Sequence, residues 1–142
     1  MRTQILYRPV GIGELKLIIE TGYKAFPPRL AWQPIFYPVL NQQYAEQIAG
    51  QWNTEDQFSG YCGIVTMFRV QEEHYSKYAI QNVGGEIHNE LWIPAEELGL
   101  FNQHIVGNIE VIKAFFGSRF IMPADAIIAE VLLQFKTTNN EL

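Results

Sequence analysis

Residues 87–98 read IHNELWIPAEEL, and within them His88 and Glu90 stand two positions apart. In a strand, that spacing puts both side chains on one face. A carboxylate so placed beside aromatic rings can accept a hydrogen bond from a sugar 2′-hydroxyl. It can also steady the positive charge of an oxocarbenium-like transition state. His88 would contact the same sugar or its leaving group. The competing reading is a polar, solvent-facing edge with Leu91 and Ile93 turned inward. Arg8, in LYRPVG, poses a similar choice at the end of a first strand, just ahead of a helix start. Its planar fork can hold a diphosphate bidentately, helped by free backbone N–H groups. The alternative is an ion pair with one of fifteen acidic residues. Phe26, Trp32, Phe36, Tyr37 and Tyr44 form a third element. Most must be core to order a proline-rich loop, and one or two can stack on a nicotinamide or adenine ring.

Other arrangements carry less chemistry. GIG at 11–13 lacks the third glycine of a dinucleotide fingerprint, so Gly13 reads as a helix-start residue. His74, His88 and His104 match no metal-ligand spacing, and no metal is expected. Cys62, the single cysteine, sits in an apolar strand and reads as core. Ser59 lies in no G-x-S-x-G elbow.

The elements that must position these residues follow from periodicity. QILYRPV (4–10) is a strand ended by Pro9 and Gly11. GELKLIIETG (13–22) is a helix with Leu15, Ile18 and Ile19 on one face and Gly22 as its C-terminal cap. YKAFPPRLAWQPIFYP (23–38) is a packed loop, because its prolines forbid regular helix. LNQQYAEQIAGQW (40–52) is a helix capped by Asn41, with Tyr44, Ile48 and Trp52 on the face to be buried. YCGIVTMFRV (61–70) is the clearest strand, with Cys62, Ile64, Thr66, Phe68 and Val70 on one face. QEEHYSKY (71–78) makes one or two helical turns. AIQNVGG (79–85) and EIHNELWIP (86–94) are consecutive strands around Gly84 and Gly85. Pro94 then opens a helix with Glu96 and Glu97 near its positive end. VGNIEVIKAFFG (106–117) is a further strand. PADAIIAEVLLQFK (123–136) is an amphipathic helix bearing Ile127, Ile128, Val131, Leu132 and Phe135, and TTNNEL (137–142) is expected to fray. This order predicts an α+β domain with a mixed or antiparallel sheet.

Composition bounds the class. A chain of 142 residues with 48% apolar and 18% charged residues suits one compact domain rather than a disordered segment. Ten basic against fifteen acidic residues, net charge −5, with no Lys/Arg cluster, disfavours a nucleic-acid partner. No apolar run approaches a bilayer span and no leader-like segment is visible, so a cytoplasmic protein with no membrane partner is expected.

Taken together, LYRPVG…EL, AFPPRL…PIFYPVLN…YA…IA…WN, GIVTMFRV and HNELWIPAEEL…FN…IVGNIEVI resemble a bacterial family. Its members are small proteins labelled ADP-ribosylation/crystallin-J-type, and the likeness covers roughly residues 5–116. The order of parts is also similar to the ADP-ribosyltransferase fold. That resemblance implies a split sheet in a domain over 1–116, with 117–142 a C-terminal helix packed on it or used in oligomerisation. It implies an NAD-consuming glycosyltransferase. Arg8 would hold the NAD pyrophosphate, and Tyr37 or Tyr61 would stack on nicotinamide. Glu90 would bind the ribose 2′-hydroxyl and stabilise charge, and His88 would orient acceptor or ribose. The strand at 61–70 lacks the family's Ser-Thr-Ser triplet, leaving Thr66, Tyr61 or Ser59 for the middle position. His88 stands where arginine-modifying transferases usually carry a second glutamate, which disfavours arginine as acceptor. Two alternatives remain: a non-catalytic nucleotide-binding module, and an interaction protein of antitoxin or immunity type, or a homodimer built through the last helix.

Overall fold

The central strand of the fold is β3 (Cys62–Gln71), buried along nearly its whole length. It pairs antiparallel with β1 (Thr3–Val10) on one side and β7 (Ile105–Phe116) on the other. A computed structural model describes residues 1–140, with side chains through residue 136. Cys62, Ile64, Phe68 and Val70 enter the principal core with Leu6 and Val10 of β1, as the alternation predicts. Val65, on the opposite face, packs with Val39, Ala45 and Ala49 in a second, smaller core. The sheet is therefore covered on both sides, and the fold is α+β with antiparallel strands.

The helices divide between the two faces. α1 (Ile12–Glu20) buries Leu15 and Ile18 in the principal core, and Gly22 ends it with a positive φ of 72°. The N–H groups of Gly22 and Tyr23 close the last turn on the carbonyls of Ile19 and Ile18. α2 (Gln42–Gln51) covers the other face, capped as expected by Asn41, whose side chain accepts from the Tyr44 N–H. Its buried stripe differs from the expected one. Ala45 and Ala49 are fully buried, Tyr44 and Ile48 flank them, and Trp52 is exposed. The cause is a close approach: an added Cβ at Gly63 would lie 2.2 Å from the Ala49 carbonyl oxygen. Only small residues fit on a helix that near the sheet.

The proline-rich loop gives up a short strand, β2 (Ile35–Phe36), which pairs with β6 (Ile93–Pro94). Further along, Val39 bridges both Tyr7 of β1 and Glu90 of β5 (Asn89–Leu91). Residues 35–40 thus join β1 to the edge made by β5, β6 and β4 (Ile80–Asn82), which pairs with β5. Pro94 closes β6 rather than opening a helix. A 3-10 turn at Ala95–Glu97 follows, and α4 (Leu98–Gln103) begins only at Leu98. One or two helical turns were expected after β3, and α3 (Glu72–Tyr75) supplies one.

α5 (Ala126–Asn140) starts three residues beyond Pro123, where Asp125 caps it by accepting from the N–H groups of Ile127 and Ile128. It lays Ile128 and Leu132 into the same core as β3, so the last helix shares the core of the preceding residues. Ile127 and Leu133 point outward. The end expected to fray falls partly on residues 141–142, outside the described residues. Among the described residues no helix is long and apolar enough to cross a membrane.

The Gly63–Ala49 contact makes a direct prediction. Gly63→Ala should destabilise the protein by about 3 kcal/mol, the upper end of overpacking costs. Gly13→Ala, where a Cβ meets nothing within 4 Å, should instead stabilise it by about 0.5 kcal/mol. Urea midpoints of the two variants decide, and equal midpoints would contradict the close seating of α2 on β3.

Candidate functional site

Glu90 is the centre of a cluster built by three elements. β5 carries the carboxylate, and α2 brings Tyr44, whose hydroxyl donates to Glu90 Oε2 at 2.7 Å. Trp92, two residues on, donates from Nε1 to Oε1 at 2.9 Å. Each oxygen is thus fixed by one side-chain donor and keeps capacity to accept another. Tyr37 meets Trp92 edge-to-face, with ring centroids 6.4 Å apart. Tyr37 is 41% exposed and Trp92 44%, so both rings can receive a flat ligand.

His88 holds a supporting place beside this cluster. Its ring lies 4.6 Å from that of Tyr44. Nδ1 accepts from the Gly85 N–H at 3.1 Å, which leaves the ring proton on Nε2, facing Gln47 Oε1 at 3.0 Å. Gly85 must be glycine for this, since a Cβ there would stand 2.8 Å from Nδ1. Both nitrogens are engaged, so His88 positions Tyr44 rather than offering a free base.

Arg8 is committed elsewhere. Its Nε and NH2 donate to Glu14 of α1 at 2.6 and 2.9 Å, and NH1 reaches the Tyr37 carbonyl at 3.5 Å. The guanidinium lies 4.6 Å from the centroid of the buried Phe36 ring. The ion-pair alternative is therefore realised, and the pair is largely buried. Alternation also separates Arg8 from Glu90. Leu6, Arg8 and Val10 share the principal-core face, whereas Tyr7 pairs with Val39 and Val39 with Glu90 on the face covered by α2. The single cleft expected to hold both residues is not formed; the side chains project from opposite faces of the sheet.

The remaining candidates lie apart from Glu90. Thr66 is fully buried at the sheet centre, where its hydroxyl donates to the Arg8 carbonyl at 2.7 Å. Tyr61 precedes β3 with a φ of 56°, accepts from the Gly117 N–H, and faces Arg119 at 5.8 Å. Ser59 is buried and bonds Asp56 and Asn53. Among the described residues no hydrogen bond or ring contact joins any of the three to Glu90, Tyr37 or Trp92. Of the two rings expected to stack on nicotinamide, Tyr37 meets Trp92, a donor to the carboxylate, and Tyr61 lies apart. Tyr44 and Trp92 as donors to Glu90 were not foreseen; the i, i+2 spacing of Glu90 and Trp92 was the available signal. Two surface depressions, of 450 and 440 Å³, lie elsewhere, one beside Arg2 and Glu72 and one among Leu17, Phe26, Pro27 and Leu98.

The other two histidines form a separate pair. His74 and His104 stack with centroids 4.1 Å apart and planes 5° from parallel. His104 donates from Nδ1 to the Leu100 carbonyl, while neither buried nitrogen of His74 has a partner among the described residues. Among the described residues no group of three or more His, Cys, Asp or Glu side chains is arranged to hold a metal. No protein family, curated protein or solved structure was found to match this chain.

Two titrations follow. Burial, then the hydrogen bond to Glu90, pushes the Tyr44 phenol up to about 12 from its ordinary 10.0. Its folded value is the raised one, so its stabilising contribution is complete below pH 10 and lost as pH rises towards 12. Glu90→Gln should bring the phenol's midpoint down in an ultraviolet titration, because the anion opposing the phenolate is gone. Burial also pushes His74 below its ordinary 6.5, with His104 and Lys77 adding to the effect and Glu97 opposing it. Here the folded value is depressed, so the contribution is complete above pH 6.5 and lost as pH falls. The urea midpoint should drop between about pH 7.5 and about pH 5.5, and His74→Phe should flatten that drop.

Proposed function

We propose that the protein binds NAD or a related nucleotide at the Glu90 cluster and acts on its nicotinamide–ribose bond in the manner of an ADP-ribosyltransferase. The observation that carries this reading is the Glu90 carboxylate, held by Tyr44 and Trp92 beside the exposed rings of Tyr37 and Trp92. A fixed carboxylate costs little reorganisation when positive charge develops next to it. Glu90 accepts from the ribose 2′-hydroxyl and Tyr37 or Trp92 stacks on a ring of the nucleotide. The C1′–nitrogen bond breaks with both electrons going to nicotinamide, which leaves neutral. The acceptor supplies the electron pair for the new bond at C1′, and its proton passes to solvent, because both His88 nitrogens are already bonded. The site is open at its aromatic rim, so water competes with any other acceptor.

A second reading, nucleotide binding without turnover, is supported by His88: both of its ring nitrogens are engaged, by the Gly85 N–H and by Gln47, so it offers no free base to an acceptor.

A proton NMR time course of NAD with the protein separates the two. Free nicotinamide resonances are expected to grow in with the native chain. In Glu90→Gln they should slow by about a hundredfold or more, while line broadening from binding persists. Equal cleavage in both proteins would remove Glu90 from the chemistry. Broadening without cleavage in either would leave the binding reading standing.

A further inference from the structure

The segment 35–40 carries an unfinished edge. Val39 exchanges both backbone hydrogen bonds with Tyr7 of β1, while the Leu91 N–H donates to Pro38 and the Leu40 N–H to Asn89. Polar groups alternate in direction along a strand, so the carbonyls of Tyr37 and Ile35 also point towards β1. The next β1 residue in register with Tyr37 is Pro9, which has no N–H to give. Beyond it, Gly11 already caps α1. Two arginines take over the vacated positions. Arg8 NH1 reaches the Tyr37 carbonyl, and Arg29 Nε donates to the Ile35 carbonyl at 3.0 Å. Carbonyls two residues apart on a strand are separated by roughly 7 Å, so the two guanidinium groups are neighbours at the end of the segment.

The two arginines are not equivalent. Arg8 spends its Nε and NH2 on both oxygens of Glu14. Arg29 uses only Nε, and its two terminal nitrogens have no acceptor among the described residues. It is half-buried, and its charge is disfavoured first by burial and then by Arg8, with Glu14 and the Tyr37 phenol acting in the opposite sense. The one carboxylate here is in contact with Arg8, and Arg29, a planar fork without one, is suited to bidentate recognition of phosphate.

We infer that Arg29 is the anchor for a phosphoryl group, and that the ligand is a nucleotide whose phosphate rests at the open end of the 35–40 segment. This deepens the nucleotide reading above and rests on it for the rest of the ligand. Tyr37 joins the two halves: its carbonyl holds Arg8, and its ring meets Trp92, which holds Glu90. The nucleotide lies along Tyr37, with phosphate towards Arg29 and ribose towards Glu90. Arg8 stays bound to Glu14, and Arg29, in the loop before β2, takes the part its position in the first strand suggested for Arg8.

Calorimetric titration with inorganic pyrophosphate, ADP and sulfate at fixed ionic strength tests this. Pyrophosphate and ADP should bind, ADP more tightly because its base adds stacking, and sulfate should bind more weakly than either. Arg29→Gln, which keeps an amide donor for the Ile35 carbonyl, should weaken pyrophosphate binding at least tenfold. Arg29→Lys should fall between, and Arg119→Gln, beside Tyr61 and away from the 35–40 segment, should stay within about twofold of the native chain. Should Arg29→Gln fail to fold, the Arg29 Nε–H resonance of the native protein decides, since pyrophosphate should move it. Unchanged pyrophosphate affinity in Arg29→Gln, an unmoved Arg29 resonance, or no binding at millimolar pyrophosphate overturns the assignment. Pyrophosphate bound through Arg29 with NAD left intact would overturn the catalytic reading and keep this one.

Discussion

Pro9 sets a constraint on which much of the site depends. β1 and the 35–40 segment begin as a regular antiparallel pair at Tyr7 and Val39. Proline ends that ladder after a single exchanged pair, because it cannot donate to the next carbonyl. The segment then belongs to β5 and β6 on its other side, through Leu40, Pro38 and the β2–β6 pairing. It becomes a seam between the three-stranded sheet and the smaller edge. Glu90 and Trp92 hang from one side of that seam, and Arg8 and Arg29 close the other.

The Arg8–Glu14 pair shows what this arrangement costs. The charge of an arginine only 9% exposed must be neutralised, and a bidentate carboxylate with an aromatic ring beneath it does so. Removing one partner of such a buried pair typically costs about 3–5 kcal/mol, whereas the intact pair adds little net stability over an apolar equivalent. Its structural effect is to tie α1 to β1 and, through NH1, to the seam. The same commitment prevents Arg8 from meeting a ligand freely. Arg29, whose two terminal nitrogens have no acceptor among the described residues, is not so bound.

On the opposite face, small residues decide the geometry. Gly63, Ala45 and Ala49 let α2 lie close to β3, and that closeness carries Tyr44 to Glu90 and Gln47 to His88. The carboxylate is therefore held by a helix that the tight packing positions. A larger residue at Gly63 would move the donor as well as loosen the core.

Much of the fold was legible in the chain. The alternation of Cys62, Ile64, Phe68 and Val70 marked β3, and the Gly22 and Asn41 caps marked where α1 ends and α2 begins, because these signals are local and periodic. The shared cleft of Arg8 and Glu90 was not formed, since linear order says nothing of which face each strand presents once a third segment is inserted between them. Trp52 was expected inside and lies outside, because helical spacing identifies a stripe but not how near the helix will sit. Sequence by itself determined the strands, the caps and the residue types able to bind a sugar or a phosphate. Tertiary structure alone decided which of them meet: Glu14 claims Arg8, Tyr44 and Trp92 claim Glu90, and among the described residues Arg29 is left with donors to spare. Those choices depend on pairing between residues far apart in the chain, where register and packing distance, rather than local pattern, set the contacts.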